Sequence, residues 1–140
     1  MSAELPTGAG DAGARAGGRL AGLRVLVVDD DPDIRAAMTL ALRAEGAVVE
    51  TAEDGSVALH QLQHFVPEAV VLDVMLPGQS GFTVLEHCQR APSRPAVVMV
   101  TANQGRRHAS FAQSLGAQAY LLKPVPLARL VETVASIAGR

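Results

Sequence analysis

The chain has 140 residues, 49% of them hydrophobic, which is enough for one domain with a real core. A formal net charge of −2 and an aromatic content of 3%, without tryptophan, argue against direct nucleic-acid binding through charge or base stacking. No apolar run reaches membrane-spanning length, no charged-then-apolar leader opens the chain, and the single Cys88 cannot form an internal disulfide, so a cytoplasmic protein is expected.

Residues 1–22 are rich in Gly and Ala and lack periodicity; they are predicted to be a disordered tail in which Arg15 and Arg19 stay solvated. Residues 23–140 are predicted to be the folded domain. The first strand, Arg24 to Val28, runs straight into Asp29, Asp30 and Asp31. Pro32 pre-sets a helical turn that Asp31 can cap. The helix runs to Glu45 with Ile34, Met38, Ala41 and Leu42 on one face, and Gly46 suits its C′ position. A strand over Ala47 to Thr51 follows. Asp54 is a cap for a second helix carrying Val57, Ala58, Leu62 and Phe65, ended by Pro67. Ala69 to Leu72 is the third strand and closes on Asp73. Pro77 and Gly78 make Met75 to Ser80 a loop. A third helix starts near Gly81 or Phe82 and stops before Pro92, with Cys88 as a small packing residue. Ala96 to Val100 is the fourth strand, ending in Thr101. Gln104 to Leu115 is read as a helix, and Gln118 to Leu122 as the fifth strand. The last helix, Pro126 to Ala138, is expected to turn Leu127, Leu130, Val131, Val134 and Ile137 toward the sheet.

Apolar strands alternating with helices imply a parallel sheet covered on both faces, a doubly wound α/β domain. Sites in such sheets form beyond the carboxyl ends of the strands. Those ends deliver Asp29 and Asp30, Asp73, Thr101 and Lys123 to one edge. Three crowded carboxylates call for a hard divalent cation with oxygen ligands. With such an ion the edge suits a phosphoryl group, whose oxygens Lys123 and Thr101 can meet. Lys123 is the only lysine in the chain, every other cation being arginine. Pro124 holds it extended and permits a cis peptide.

The segments VLVVDDDPDIR, VVLDVMLPGQSGF, VVMVTAN and AYLLKPV, in that order, resemble the receiver domain of bacterial two-component response regulators, of the single-domain chemotaxis type. The resemblance covers Leu23 to the C-terminus. It implies a flavodoxin-like sheet of order 2-1-3-4-5 and phosphorylation of Asp73 by a histidine kinase or phosphotransfer protein. It assigns Mg²⁺, with Mn²⁺ as a substitute, to Asp30, to Asp29 through water, to Asp73 and to the backbone carbonyl of Met75. It makes Thr101 the switch hydroxyl, Lys123 the phosphoryl partner and Tyr120 the aromatic that changes rotamer. It implies a protein that catalyses only its own phosphorylation and dephosphorylation, with a protein target as output.

Departures from the pattern carry further expectations. Ser80 stands where an Asp is common, and Val125 where a Phe is frequent. Gln118 and Ala119 replace acids that support one symmetric dimer, so a monomer or weak dimer is expected. Met75 and Asn103 flank the attacking water in the family; an apolar Met75 implies slow self-dephosphorylation. No output domain is expected after the last helix, which leaves protein contact as the signal. An aspartyl-nucleophile phosphatase is the alternative, although Met75 stands where such enzymes commonly carry a second acid. A metal-binding scaffold is disfavoured by the full set of Asp73, Thr101 and Lys123. His60 and His64, four apart, share a helix face; lacking a third ligand, they are read as solvated or packing residues rather than metal ligands. His87 and His108 show no phosphodonor arrangement. Arg106, Arg107 and His108 form a small basic patch read as a solvated helix start.

Overall fold

The computed structural model describes residues 18–102 and 106–140, without the side chains of 106 and 107. Uninterrupted apolar runs need cover on both faces, which the three central strands of the sheet have and its two edge strands lack in part; there are five strands in all. They are β1 (Arg24–Val28), β2 (Val48–Ala52), β3 (Ala69–Leu72), β4 (Ala96–Thr101) and β5 (Ala119–Leu122). All pair in parallel, in the order β2-β1-β3-β4-β5. The helices are α1 (Pro32–Ala44), α2 (Gly55–His64), α3 (Gly81–Arg90), α4 (Arg106–Ser114) and α5 (Leu127–Ile137).

Strand side chains alternate between the two faces, so each strand feeds two cores. Val25, Val27, Val71, Val98 and Val100 pack with Met38 and Leu42 of α1 and Leu130 and Val134 of α5. Leu26, Val28, Val70, Leu72, Val97 and Met99 pack with Leu62 of α2, Val84 and Leu85 of α3 and Ala112 of α4. Cys88 belongs to this second core, where burial pushes its thiol up to about 12 despite an opposing backbone hydrogen bond.

Two sequence expectations need correction. The predicted tail does not extend to Gly22. Leu20 is fully buried in the α1–α5 core, its N–H donates to the Glu45 carbonyl at 2.8 Å, and the Gly22 N–H donates to Gly46 at 2.9 Å. Arg19 pairs with Glu132 of α5, and Arg140 Nη1 donates to the Ala21 carbonyl at 2.9 Å. One leucine with a place in the core therefore ties down a Gly-rich segment. At the other correction, Leu127 is 41% exposed instead of facing the sheet. Pro126 is the N-cap of α5, so Leu127 opens the helix before its buried face, set by Leu130 and Val134, begins. The boundaries of β2 and α5 sit one residue later than expected at their starts. Residues 1–17, and Asn103, lie outside the described residues.

Among the described residues, no helix is long and apolar enough to cross a membrane.

Candidate functional site

The winding reverses between β1 and β3, the position where open α/β sheets leave a crevice. Both strands end there in acids. The Asp29 N–H extends the ladder to the Ala52 carbonyl at 3.1 Å, and the Asp73 N–H donates to Val28 at 3.1 Å. Backbone pairing thus fixes both Cα positions. Asp29 is fully buried and Asp73 nearly so, while Asp30 is exposed at the mouth. One carboxylate oxygen from each of the three lies within 4.8 Å of the others.

The turn after β1 is held by its own acids. Asp29 Oδ1 accepts from the Asp31 N–H at 2.9 Å, and Asp31 Oδ1 caps α1 through Asp33 and Ile34. Arg35, one turn into α1, donates from Nη1 to the Asp29 carbonyl at 2.8 Å. No pattern in the residues signals this strut. After β3, the Met75 N–H donates to Asp73 Oδ1 at 3.1 Å, and the Met75 side chain is exposed. Ser80 caps α3, its Oγ accepting from the Phe82 N–H at 3.0 Å.

Two glycines bring helices against this edge, and sequence reasoning missed the role of both. A Cβ at Gly81 would stand 2.0 Å from the Asp73 carbonyl oxygen, so only glycine lets α3 start there. A Cβ at Gly55 would stand 2.2 Å from Gln79 Cβ, and the Gly55 N–H donates to Pro77 at 3.3 Å. The first turn of α2 therefore braces the loop that carries Met75. The only sequence signal was a glycine at each helix start, which also fits a plain turn.

Lys123 closes the site from β5. Its N–H donates to the Thr101 carbonyl at 2.9 Å, which sets the two strand ends side by side. The Lys123–Pro124 peptide is cis. The ammonium Nζ lies 2.8 Å from Asp73 Oδ2, as a hydrogen bond, and 2.7 Å from Asp29 Oδ2. The two contacts make Lys123 the shared counter-charge of both buried carboxylates. Burial alone would lower the Lys123 ammonium. Its contacts with Asp29 and Asp73 outweigh burial and hold it above the ordinary lysine value. Thr101 is buried beside this group at the end of β4. Tyr120, two residues further back on β5 from Leu122, packs at the edge of the second core; partial burial and then the Asp73 charge raise its hydroxyl.

The donor set fits a hard divalent cation. It offers three carboxylates on a fixed frame beside an exposed mouth, two of them already drawn to one cation, the Lys123 ammonium. An apolar cleft of about 530 Å³ opens next to it between α1 and α5, lined among others by Ile34, Met38, Val100, Lys123 and Val125.

The family model for the response regulator receiver domain matches residues 25–135. The chain belongs to this family. Transcriptional regulatory protein TcrA of Mycobacterium tuberculosis is 37% identical over 140 residues, covering all of this chain and 55% of TcrA. DNA-binding response regulator MtrA of Mycolicibacterium smegmatis is 39% identical over 111 residues, or 79% of this chain and 48% of MtrA. The chain spans about half the length of the curated relatives it matches. Among solved structures, a CheY-like receiver domain protein of Methanospirillum hungatei superposes with a TM-score of 0.80 at 28% identity, over 85% of this chain and 95% of that one. Chemotaxis response regulator CheY4 of Vibrio cholerae gives 0.78 at 27% identity over 84% and 99%. This receiver domain therefore has the flavodoxin-like order expected from its motifs.

Proposed function

We propose that this receiver domain takes a phosphoryl group from a histidine kinase or phosphotransfer protein onto Asp73 and thereby switches its binding to a protein target. The observation that carries the reading is the convergence of three acids within 4.8 Å, with Lys123 already bridging two of them. Asp29, Asp30 and Asp73, with the Met75 carbonyl, would hold Mg²⁺, or Mn²⁺ in its place. When bound, the metal neutralises charge on the transferring phosphoryl oxygens.

The remaining steps belong to the chain. An Asp73 carboxylate oxygen attacks phosphorus as the P–N bond to the donor imidazole breaks, and the imidazole leaves with a proton from solvent. The frame that fixes Asp73 lowers the entropic part of the barrier. The product carries roughly −1.5 to −2 charge, and Lys123 moves from its carboxylate contacts to the new oxygens. An ammonium about 4 Å from that charge gains about 4 kcal/mol at an effective dielectric near 20, before desolvation. A charge-assisted bond from the Thr101 hydroxyl adds about 1.5–3 kcal/mol. Full inversion of a two-state equilibrium needs about 5.5 kcal/mol, so both contacts are required. Tyr120, on the strand leading to Lys123, follows the switch. The apolar cleft beside Lys123 is where the donor's side chains would seat.

The domain would act on itself alone, in the cytoplasm, as a monomer or weak dimer. Its apolar, exposed Met75 offers no side-chain hydrogen bond to an attacking water, so the acyl phosphate should persist for minutes or longer. The phosphatase reading loses to this one because Met75 leaves no acid to protonate a leaving group. Intact-mass spectrometry after incubation with acetyl phosphate and Mg²⁺ tests the proposal. One phosphoryl adduct is expected on the native chain and none on Asp73→Asn. An undiminished adduct on the variant, or repeated turnover of a small phosphoester, would overturn it.

A further inference from the structure

Arg35 is the fourth residue of α1 and runs against the local electrostatics of that helix. A cation in the first turn meets the positive end of the helix dipole. Asp31 and Asp33 are close in sequence, yet among the described residues Arg35 forms an ion pair with neither. Its guanidinium folds back instead, and Nη1 donates to the Asp29 carbonyl at 2.8 Å in a part-buried contact. A side chain that breaks a local rule to reach one particular atom points to a role at that atom.

That atom is the oxygen of the peptide joining Asp29 to Asp30. The peptide unit is planar, so holding its oxygen fixes the direction in which the chain enters Asp30. The other two acids have anchors of their own. Asp29 Oδ1 accepts from the Asp31 N–H at 2.9 Å, and Asp73 Oδ1 accepts from the Met75 N–H at 3.1 Å. Lys123 meets the second oxygen of both. Asp30 is exposed, and among the described residues no hydrogen bond or ion pair holds its carboxylate. Its place within 4.8 Å of the other two therefore rests on its backbone, which the Arg35 guanidinium grips at the preceding peptide.

We propose that Arg35 is a positioning residue for the divalent cation of the acidic edge. By holding the Asp29 carbonyl it keeps Asp30 in register with Asp29 and Asp73, and so sets affinity for the ion without touching it. The inference rests on the metal-dependent phosphorylation of Asp73 proposed above. Two effects of this side chain oppose each other. Its charge repels a dication, but on a part-exposed group that repulsion is screened by water and salt. Its hydrogen bond presents a ready ligand, and removing a partner that orients a metal's ligands typically weakens affinity about ten- to hundredfold. Orientation therefore prevails. Arg43, at the far end of the same helix, supplies the comparison. Its Nη2 donates to the Val49 carbonyl at 2.9 Å, a contact of the same kind that involves none of the three acids.

The test is titration of Mn²⁺ alone into the full chain, with free ion read by electron paramagnetic resonance. Arg35→Met should bind Mn²⁺ about tenfold more weakly than the native chain, the low end of that range because the lost charge works the other way. Arg35→Lys, which keeps the charge and a donor, should recover part of the loss. Arg43→Met, which loses the same charge, should keep native affinity. With acetyl phosphate as donor, the Mg²⁺ concentration for half-maximal rate should rise about tenfold in Arg35→Met, while the rate at saturating Mg²⁺ stays native. Native or tighter Mn²⁺ binding by Arg35→Met would overturn the proposal and leave the metal-dependent reading of Asp73 standing. Equal weakening in Arg43→Met would reduce Arg35 to a support of the helix and overturn it as well. No Mn²⁺ binding by the native chain would overturn that reading, and the proposal with it.

Discussion

The two ends of the sheet are built on opposite terms. At the amino end, Leu20 and Leu23 plug the α1–α5 core, and backbone groups there pair with one another and with the Glu45 and Glu68 carboxylates. Arg24 spans this end, donating to the Phe65 and Val66 carbonyls and lying over the Phe65 ring. It meets Val66, whose φ of 53° is a costly backbone for a β-branched residue. At the carboxyl end, Asp29, Asp73 and Thr101 are buried together, with Lys123 as their counter-charge. Buried like charges lower stability unless compensated. One end is shaped for stability and the other gives up stability for a site.

That contrast can be broken at either end. The largest effect is expected from Leu20→Ala, which should cost about 2–5 kcal/mol in denaturant unfolding. Its folded fraction should accept phosphate from acetyl phosphate at the native rate. Lys123→Met should cost about 3 kcal/mol in metal-free buffer, the low end for a broken buried pair because the ammonium keeps some water. Saturating Mg²⁺ should restore part of that loss, whereas it should do nothing for Leu20→Ala. Gly81→Ala should cost about 1–3 kcal/mol by overpacking. Unlike Leu20→Ala, it should also slow phosphorylation, because its Cβ displaces Asp73.

A smaller effect comes with pH. The Cys88 thiol, pushed up from 9.0 to about 12, favours the folded state fully below pH 9 and loses that contribution as pH climbs toward 12. Lys123, also raised, adds a loss in the same direction above 10.5. Denaturant midpoints should therefore fall above pH 9, less steeply in Cys88→Ala, where only the Lys123 and Tyr120 contributions remain. The smallest change in fold, and a clear one in function, is expected for Thr101→Ala: phosphate is accepted, but affinity for the target no longer rises on phosphorylation.

Much of this was legible in the residues because it rests on local pattern. Runs such as Val25–Val28 and Val97–Val100 can only be doubly covered strands, and a parallel sheet must then deliver Asp29, Asp73, Thr101 and Lys123 to one edge. Asp31 as the α1 cap and Asp54 as the α2 cap follow from side chains reaching two or three residues along the chain. What escaped is set by approach between elements distant in sequence. Leu20 is buried only because α1 and α5 leave room for it. Gly81 matters only because α3 is pressed against the Asp73 carbonyl. Arg35 finds the Asp29 carbonyl only after the turn has folded back. The different stations of Asp29 and Asp30, one buried on Lys123 and one at the mouth, likewise depend on the fifth strand.

The claim beneath all of this is that the carboxyl edge is one reaction site centred on Asp73. Borohydride reduction of the acetyl-phosphate-treated chain, followed by peptide mass mapping, tests it most directly, because hydride converts an aspartyl phosphate to an alcohol and expels phosphate. Reduction is expected at residue 73 alone, and only when Mg²⁺ or Mn²⁺ was present. Reduction at Asp29 or Asp30, or labelling of Asp73 that ignores the metal, would contradict it.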